Sequence, residues 1–216
     1  MLIAESEAPY HERKVTLLNG PHTVLSPVAY LSGINIVRDA LHHPVVGKYI
    51  KKVQYDELMQ TLNLPMAELQ QFAADVLERF DNPYVDHAVT SIMLNSFPKY
   101  QTRDLPGVKV YLERKGELPK GLVLGLAAII TYYKGGTRAD GAPIQPNDDQ
   151  KIMELLTELW ATGDTRKVAE GVLGAADLIW KNHGNLNEIP GMTDMVTDFL
   201  NQIQEKGMLE TVKGIL

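Results

Sequence analysis

The chain has no cysteine among its 216 residues, so disulfides, thiolate zinc sites and a cysteine nucleophile are excluded by inventory. That fits a reducing cytoplasm, and a cytoplasmic location is expected. Gly-x-Gly is absent as well, which removes the G-x-G-x-x-G dinucleotide turn, and no G-x-x-x-x-G-K-[ST] loop occurs. No βαβ alternation is visible either, so this chain alone is not expected to hold NAD. Positive charge is in deficit, with Lys+Arg 21 against Asp+Glu 27 and a net charge of -6. A phosphate backbone normally demands a basic surface, so no nucleic-acid partner is expected. Long apolar runs are missing: Gly121 to Tyr133 reaches only about half of the roughly 20 residues of a membrane span and reads as a buried helix. The stretch Met1 to Arg13 carries Glu5, Glu7 and Glu12 without the basic-then-apolar order of a signal peptide, so no export is expected. His42, His43, His87 and His183 lack H-x-x-x-H or H-E-x-x-H spacing, and no metal site is expected.

What is present is helical periodicity. With 44% hydrophobic residues the chain is long enough to bury a core as one domain over residues 1–216. Apolar residues recur at helical spacing over Val45 to Leu62, Met66 to Phe80, Val85 to Leu94, Gly121 to Tyr133, Gln150 to Trp160, Arg166 to Trp180 and Met192 to Lys206. Leu69, Phe72, Val76 and Phe80 form one apolar stripe. Asn147 with Asp148 and Asp149 before Lys151 to Leu156, and Asp164 with Thr165 before Lys167 to Leu173, supply side chains that can cap the first amides of a helix. Val108 to Glu113 alternates like a strand, but a lone strand makes no sheet. The Gly- and Pro-rich segment Lys134 to Asn147 reads as a long loop within one domain. The fold class is all-α, with room for one short hairpin.

The segment Glu12-Arg13-Lys14-Val15-Thr16-Leu17-Leu18-Asn19-Gly20-Pro21-His22-Thr23 contains Lys14, Asn19 and His22 in a K-x4-N-x2-H pattern. Gly20 and Pro21 suggest a turn that opens a helix, with Asn19 and His22 at its mouth and Lys14 reaching in from the preceding segment. A partly desolvated lysine can work as a general acid or base, and an amide and an imidazole can hydrogen-bond an oxygen on which charge develops. On spacing alone, however, three such residues read as surface and capping residues. Lys99 and Arg103, four apart near Pro98, could clamp a carboxylate.

A wider set of motifs points further. Arg13-Lys14-x-x-Leu17-Leu18-Asn19-Gly20-x-His22-Thr23, then Arg79-Phe80-Asp81-Asn82-Pro83 with Asp86 and His87, then Leu94-Asn95-Ser96-x-x-Lys99-Tyr100-x-x-Arg103, resemble in order and spacing the mannitol dehydrogenase family of long-chain polyol dehydrogenases. Leu118-Pro119-Lys120-Gly121-Leu122-Val123, running on to Tyr133-Lys134-Gly135, is most similar to its tagaturonate reductase branch. The resemblance implies the mainly helical carboxy-terminal substrate domain of a two-domain NAD-dependent enzyme, of a 6-phosphogluconate-dehydrogenase-like type. It implies a Rossmann partner domain that supplies NAD binding and completes the site, and it implies no metal. By motif, Lys14 is the general acid or base, while Asn19 and His22 position and polarise the substrate oxygen. The branch implies a sugar-acid substrate, D-tagaturonate and D-altronate, with Lys99 and Arg103 as its carboxylate clamp. Ser91 stands where some mannitol-specific relatives carry arginine, which weighs against mannitol. The alternatives are a mannitol- or fructuronate-type domain and a non-catalytic helical interaction module.

Overall fold

The computed structural model describes residues 7–216, so Glu5 of the acidic amino-terminal stretch lies outside the described residues. In chain order the helices are α1 (Ala8–Lys14), α2 (Gly20–Leu31), α3 (Val37–His42), α4 (Val46–Lys51), α5 (Met66–Phe80), α6 (Val89–Ile92), α7 (Ser96–Arg103), α8 (Leu105–Lys115), α9 (Lys120–Tyr132), α10 (Gln150–Ala161), α11 (Thr165–Leu173), α12 (Met192–Lys206) and α13 (Met208–Lys213). Two-residue strands β1 (Gly136–Thr137) and β2 (Pro143–Ile144) pair antiparallel, with Gly136 opposite Ile144. They sit inside the segment expected as a loop and are the only sheet among the described residues. The all-α expectation with its one hairpin therefore holds.

Helix α9 is the axis of the core. Its apolar residues Leu122 to Ile130 are inaccessible to solvent all round, as an unbroken hydrophobic run requires. Each fully buried leucine or isoleucine there is favoured by roughly 1.5–3 kcal/mol over exposure. Helices α2 and α12 pack along α9, and α11 packs on α12. At the α2–α9 crossing, Gly125 lets the backbones close up, because a Cβ there would lie 2.4 Å from Val24 Cβ.

The first turn of α9 lacks a local cap, since Pro119 carries no side-chain acceptor. A distant carboxylate fills that role: Glu57 accepts from the Gly121 and Leu122 amides, each at 2.8 Å. Asp149 and Asp164 cap α10 and α11 as expected, accepting from Lys151 N and from Arg166 and Lys167 N. Val108 to Glu113 departs from its strand-like reading and lies within α8, because Leu105, Gly107 and Val108 bury one helical face. Val85 to Leu94 is helical only over α6. The chain before it is extended, held by Val37 N to His87 O at 3.0 Å and Val89 N to Asn35 O at 2.9 Å. No helix of the described residues is long and apolar enough to cross a membrane.

Candidate functional site

The K-x4-N-x2-H segment lies on a helix that never breaks. Lys14 ends α1, and Val15–Asn19 forms a π-helical turn that runs straight into α2, closed by the Gly20 amide on the Val15 carbonyl. The expected turn at Gly20 and Pro21 is thus corrected to a widened helical turn. Pro21 accounts for it, since a helical proline has no amide for the carbonyl four residues back and its ring crowds that carbonyl. Here that carbonyl belongs to Leu17, and Gln54 Nε2 reaches it at 2.9 Å. Arg13 clamps the approach: its guanidinium lies 4.4 Å from the Phe72 ring centroid and 3.4 Å from Glu68 Oε2 on α5. Lys14 beside it is exposed, and its ammonium makes no hydrogen bond or ion pair among the described residues.

One helical turn on, Asn19 and His22 are more enclosed. Asn19 Oδ1 and His22 Nε2 are buried without a protein hydrogen-bond partner among the described residues. The His22 ring stacks on Phe80 at 3.8 Å and meets His87 edge-on at 5.5 Å. Burial first, then the charges of His87 and Arg103, push its pKa down to about 3. His22 is therefore a neutral imidazole at physiological pH. Leu18, His22, Phe80, Asn82, Val85 and His87 line a cleft of about 210 Å³. The loop on its rim is stapled by Arg38, which donates to Asp86 Oδ1 at 2.8 Å and to the Asn82 carbonyl at 3.3 Å.

Arg103 joins this group from α7. Its Nη1 donates to Thr23 Oγ1 at 3.2 Å, and Thr23 in turn donates to the Asn19 carbonyl at 2.9 Å. Burial lowers the Arg103 pKa from its ordinary value, with the neighbouring Asp104 carboxyl acting the other way. Lys99, one turn earlier, is half-buried and anchored by a 2.6 Å hydrogen bond to the Ile92 carbonyl. Its pKa is lowered by burial and then by Arg103, against the opposing charge of Asp148. Beneath the group, Asp104 is fully buried, with neither carboxyl oxygen hydrogen-bonded among the described residues. Burial raises its pKa well above the carboxylate range despite Arg103. Gly20 is required above it, because a Cβ there would come within 2.9 Å of Asp104 Oδ1.

Asn19, His22 and Arg103 are thus brought together, with Lys99 one turn behind Arg103 and Lys14 one turn before Asn19. Sequence reasoning missed Thr23, Phe80, Gln54 and Asp104 as parts of this assembly, and set His87 aside as a lone imidazole. Thr23, Phe80 and His87 all lie within the motif segments, which was the available signal. Gln54 and Asp104 carried none.

No Gly-rich phosphate turn or βαβ unit exists among the described residues, so they do not fit the pyrophosphate of a dinucleotide. No cluster of three His, Cys, Asp or Glu side chains suited to a metal occurs among them.

Comparison with known proteins gives a consistent result. The mannitol dehydrogenase C-terminal domain matches residues 8–204. An altronate oxidoreductase of Phocaeicola vulgatus is 78% identical over the whole chain, which covers 44% of that relative. An altronate oxidoreductase of Bacillus subtilis is 42% identical over 95% of the chain and 41% of the relative. The chain therefore spans less than half the length of the curated relatives it matches. Among solved structures, the Pseudomonas fluorescens mannitol 2-dehydrogenase ternary complex with NAD and D-mannitol superposes with a TM-score of 0.84 at 20% identity. That match covers 98% of this chain and 42% of the other.

Proposed function

This chain belongs to the mannitol dehydrogenase family through its carboxy-terminal domain, and from that premise we propose that it is the substrate-binding part of an NAD-dependent oxidoreductase interconverting D-tagaturonate and D-altronate. The observation that carries the reading is the grouping of His22, which lines the cleft, with Asn19 and with Arg103 linked to the Asn19 carbonyl through Thr23, while Asn19 Oδ1 and His22 Nε2 are buried with no hydrogen-bond partner among the described residues. The names of the close relatives support the substrate pair. The chain's own residues supply recognition and proton transfer. Lys14 takes the hydroxyl proton when the alcohol is oxidised and returns it when the ketone is reduced. The Asn19 side-chain NH2 and an N–H of neutral His22 donate to the same oxygen as it gains charge, while Asn19 Oδ1 is free to accept from a substrate hydroxyl. Because His22 stays uncharged, it orients the oxygen without competing for the proton. Arg103 and Lys99 hold the substrate carboxylate, whose charge offsets the burial of two cations four residues apart. Hydride exchange and the binding of NAD fall to the Rossmann domain of the full-length protein, outside this chain's residues.

In the full-length protein, kcat/KM for D-altronate should exceed that for D-mannitol by at least about tenfold, or roughly 1.4 kcal/mol of differential transition-state binding. Arg103→Met or Lys99→Met should erode that ratio by weakening the acid substrate selectively. Lys14→Ala should lower turnover by about 10² to 10⁴ and remove the corresponding limb of the pH-rate profile. Equal values for acid and neutral polyol in the parent protein would overturn the substrate assignment. An unchanged pH-rate profile in Lys14→Ala would overturn the acid-base assignment.

A further inference from the structure

The spacing of Lys14, Asn19 and His22 raises a geometric difficulty that the π turn resolves. In a regular α-helix, residues five apart differ by roughly 140° around the axis, so Lys14 and Asn19 would face different ways. Asn19 and His22, three apart, share a face in any case. A turn closed by an i→i+5 hydrogen bond takes in about one residue more than an α turn. The bond from the Gly20 amide to the Val15 carbonyl is such a closure, and it lies between Lys14 and His22. By that geometry the residue five positions back comes round towards the same face.

A π turn is less favourable than an α turn and needs a cause and a support. Pro21 is the cause, as argued above. It leaves the Leu17 carbonyl without its i+4 amide donor, and a buried carbonyl without a partner is destabilising. The support comes from across the core. Gln54 is fully buried on the π-helical turn Lys52–Glu57 after α4, and its amide nitrogen donates to the Leu17 carbonyl at 2.9 Å. Its own Oε1 has no hydrogen-bond partner among the described residues, so the side chain's one hydrogen bond is spent on this carbonyl. Leu58, just beyond, packs on the other side of the turn, 3.1 Å from where a Gly20 Cβ would lie.

We propose that Gln54 is a positioning residue: by capping the carbonyl that Pro21 leaves without a donor, it holds the π turn whose extra residue brings Lys14 onto the face of Asn19 and His22. The inference rests on the proposed role of Lys14, and it touches no substrate atom itself.

Two variants of the full-length protein test it, each followed by turnover, pH-rate profile, thermal midpoint and crystal structure. In Gln54→Leu the carbonyl loses its cap. Turnover should fall at least about tenfold, the pH-rate limb that Lys14→Ala removes should shift or flatten, and the KM for the cofactor should stay unchanged. In Gln54→Leu combined with Pro21→Ala, residue 21 regains an amide for the Leu17 carbonyl. The thermal midpoint should recover towards the parent, while turnover stays low and the Gly20 amide moves to the Thr16 carbonyl of an α turn. A purely structural Gln54 predicts instead that stability and turnover recover together, and that result would overturn the proposal. So would parent-like turnover and pH profile in Gln54→Leu. Should Gln54→Leu fail to fold, the double variant decides, since it carries its own donor. If Lys14→Ala leaves the parent's pH limb in place, the acid-base reading fails by itself. The crystal structures then still decide the turn, and a Gly20 amide that remains on the Val15 carbonyl in Gln54→Leu refutes the role given to Gln54.

Discussion

At the scale of single residues, the buried titratable groups are where the fold does most to change chemistry. Glu57 is 2% exposed, and burial pushes its pKa up from 4.5 to about 7, against the opposing pull of the Gly121 and Leu122 amides. A carboxyl whose pKa is higher folded than unfolded stabilises the fold fully below the unfolded value and loses that contribution as pH rises through the folded value. The loss should therefore fall between about pH 4.5 and 7 and amount to at most about 3 kcal/mol. Gln at this position keeps one acceptor but turns an amide N–H₂ towards the second backbone N–H. Glu57→Gln should thus be less stable at pH 5 by roughly 1–2 kcal/mol, with the gap to the parent narrowing towards neutral pH. Urea denaturation of both proteins at pH 5 and 7.5 measures this, and parallel pH dependences would show that Glu57 does not titrate in that window. His22 titrates with the opposite sign. Its lowered pKa favours the neutral ring, so its contribution is lost only as pH falls below about 6.5 towards 3.

At the scale of elements, the position of the site depends on how closely α2 lies on α9. The Cβ of an alanine at 125 would sit 2.4 Å from Val24 Cβ and 2.5 Å from Val24 Cγ1, atoms close to the α2 backbone that cannot swing away. The helices must separate to admit it. Overpacking of this kind costs roughly 1–3 kcal/mol, so Gly125→Ala should lower the thermal midpoint by several degrees. An unchanged midpoint would mean that α2 can shift freely, which the packing denies. The elements also explain what periodicity could and could not deliver. Helices α5, α9, α10 and α12 each keep a clear apolar face or an unbroken apolar run, and their spans were readable. Helix α2 was readable only at its start, where Gly20 and Pro21 suggested a turn opening a helix, whereas the π turn makes it continuous with α1 and it runs on through Pro27 to Leu31. Helix α8 misled for a different reason. Over Val108 to Glu113 its side chains alternate in polarity, and burial at Leu105, Gly107 and Val108 decides its state.

At the scale of the whole molecule, three helix N-termini are already occupied from within. Glu57 fills α9, Asp149 fills α10 and Asp164 fills α11, so these anion-binding ends are not open to a pyrophosphate. Residues 1–216 alone should accordingly show no NADH binding by isothermal titration, and a micromolar dissociation constant would refute this. Composition and motif determined much of what the protein is. Its helical class, the want of a dinucleotide turn, its family, and the identity of Lys14, Asn19, His22, Lys99 and Arg103 as candidates were all legible, because each rests on residue type and short-range spacing. Tertiary structure alone decided the rest. Glu57 meets α9 across 64 residues, Gln54 meets Leu17 across 37, and Arg103 meets Thr23 across 80. Partners at such separations leave no periodic trace, since which carbonyl lacks a donor, and which side chain reaches it, is settled only when the helices pack.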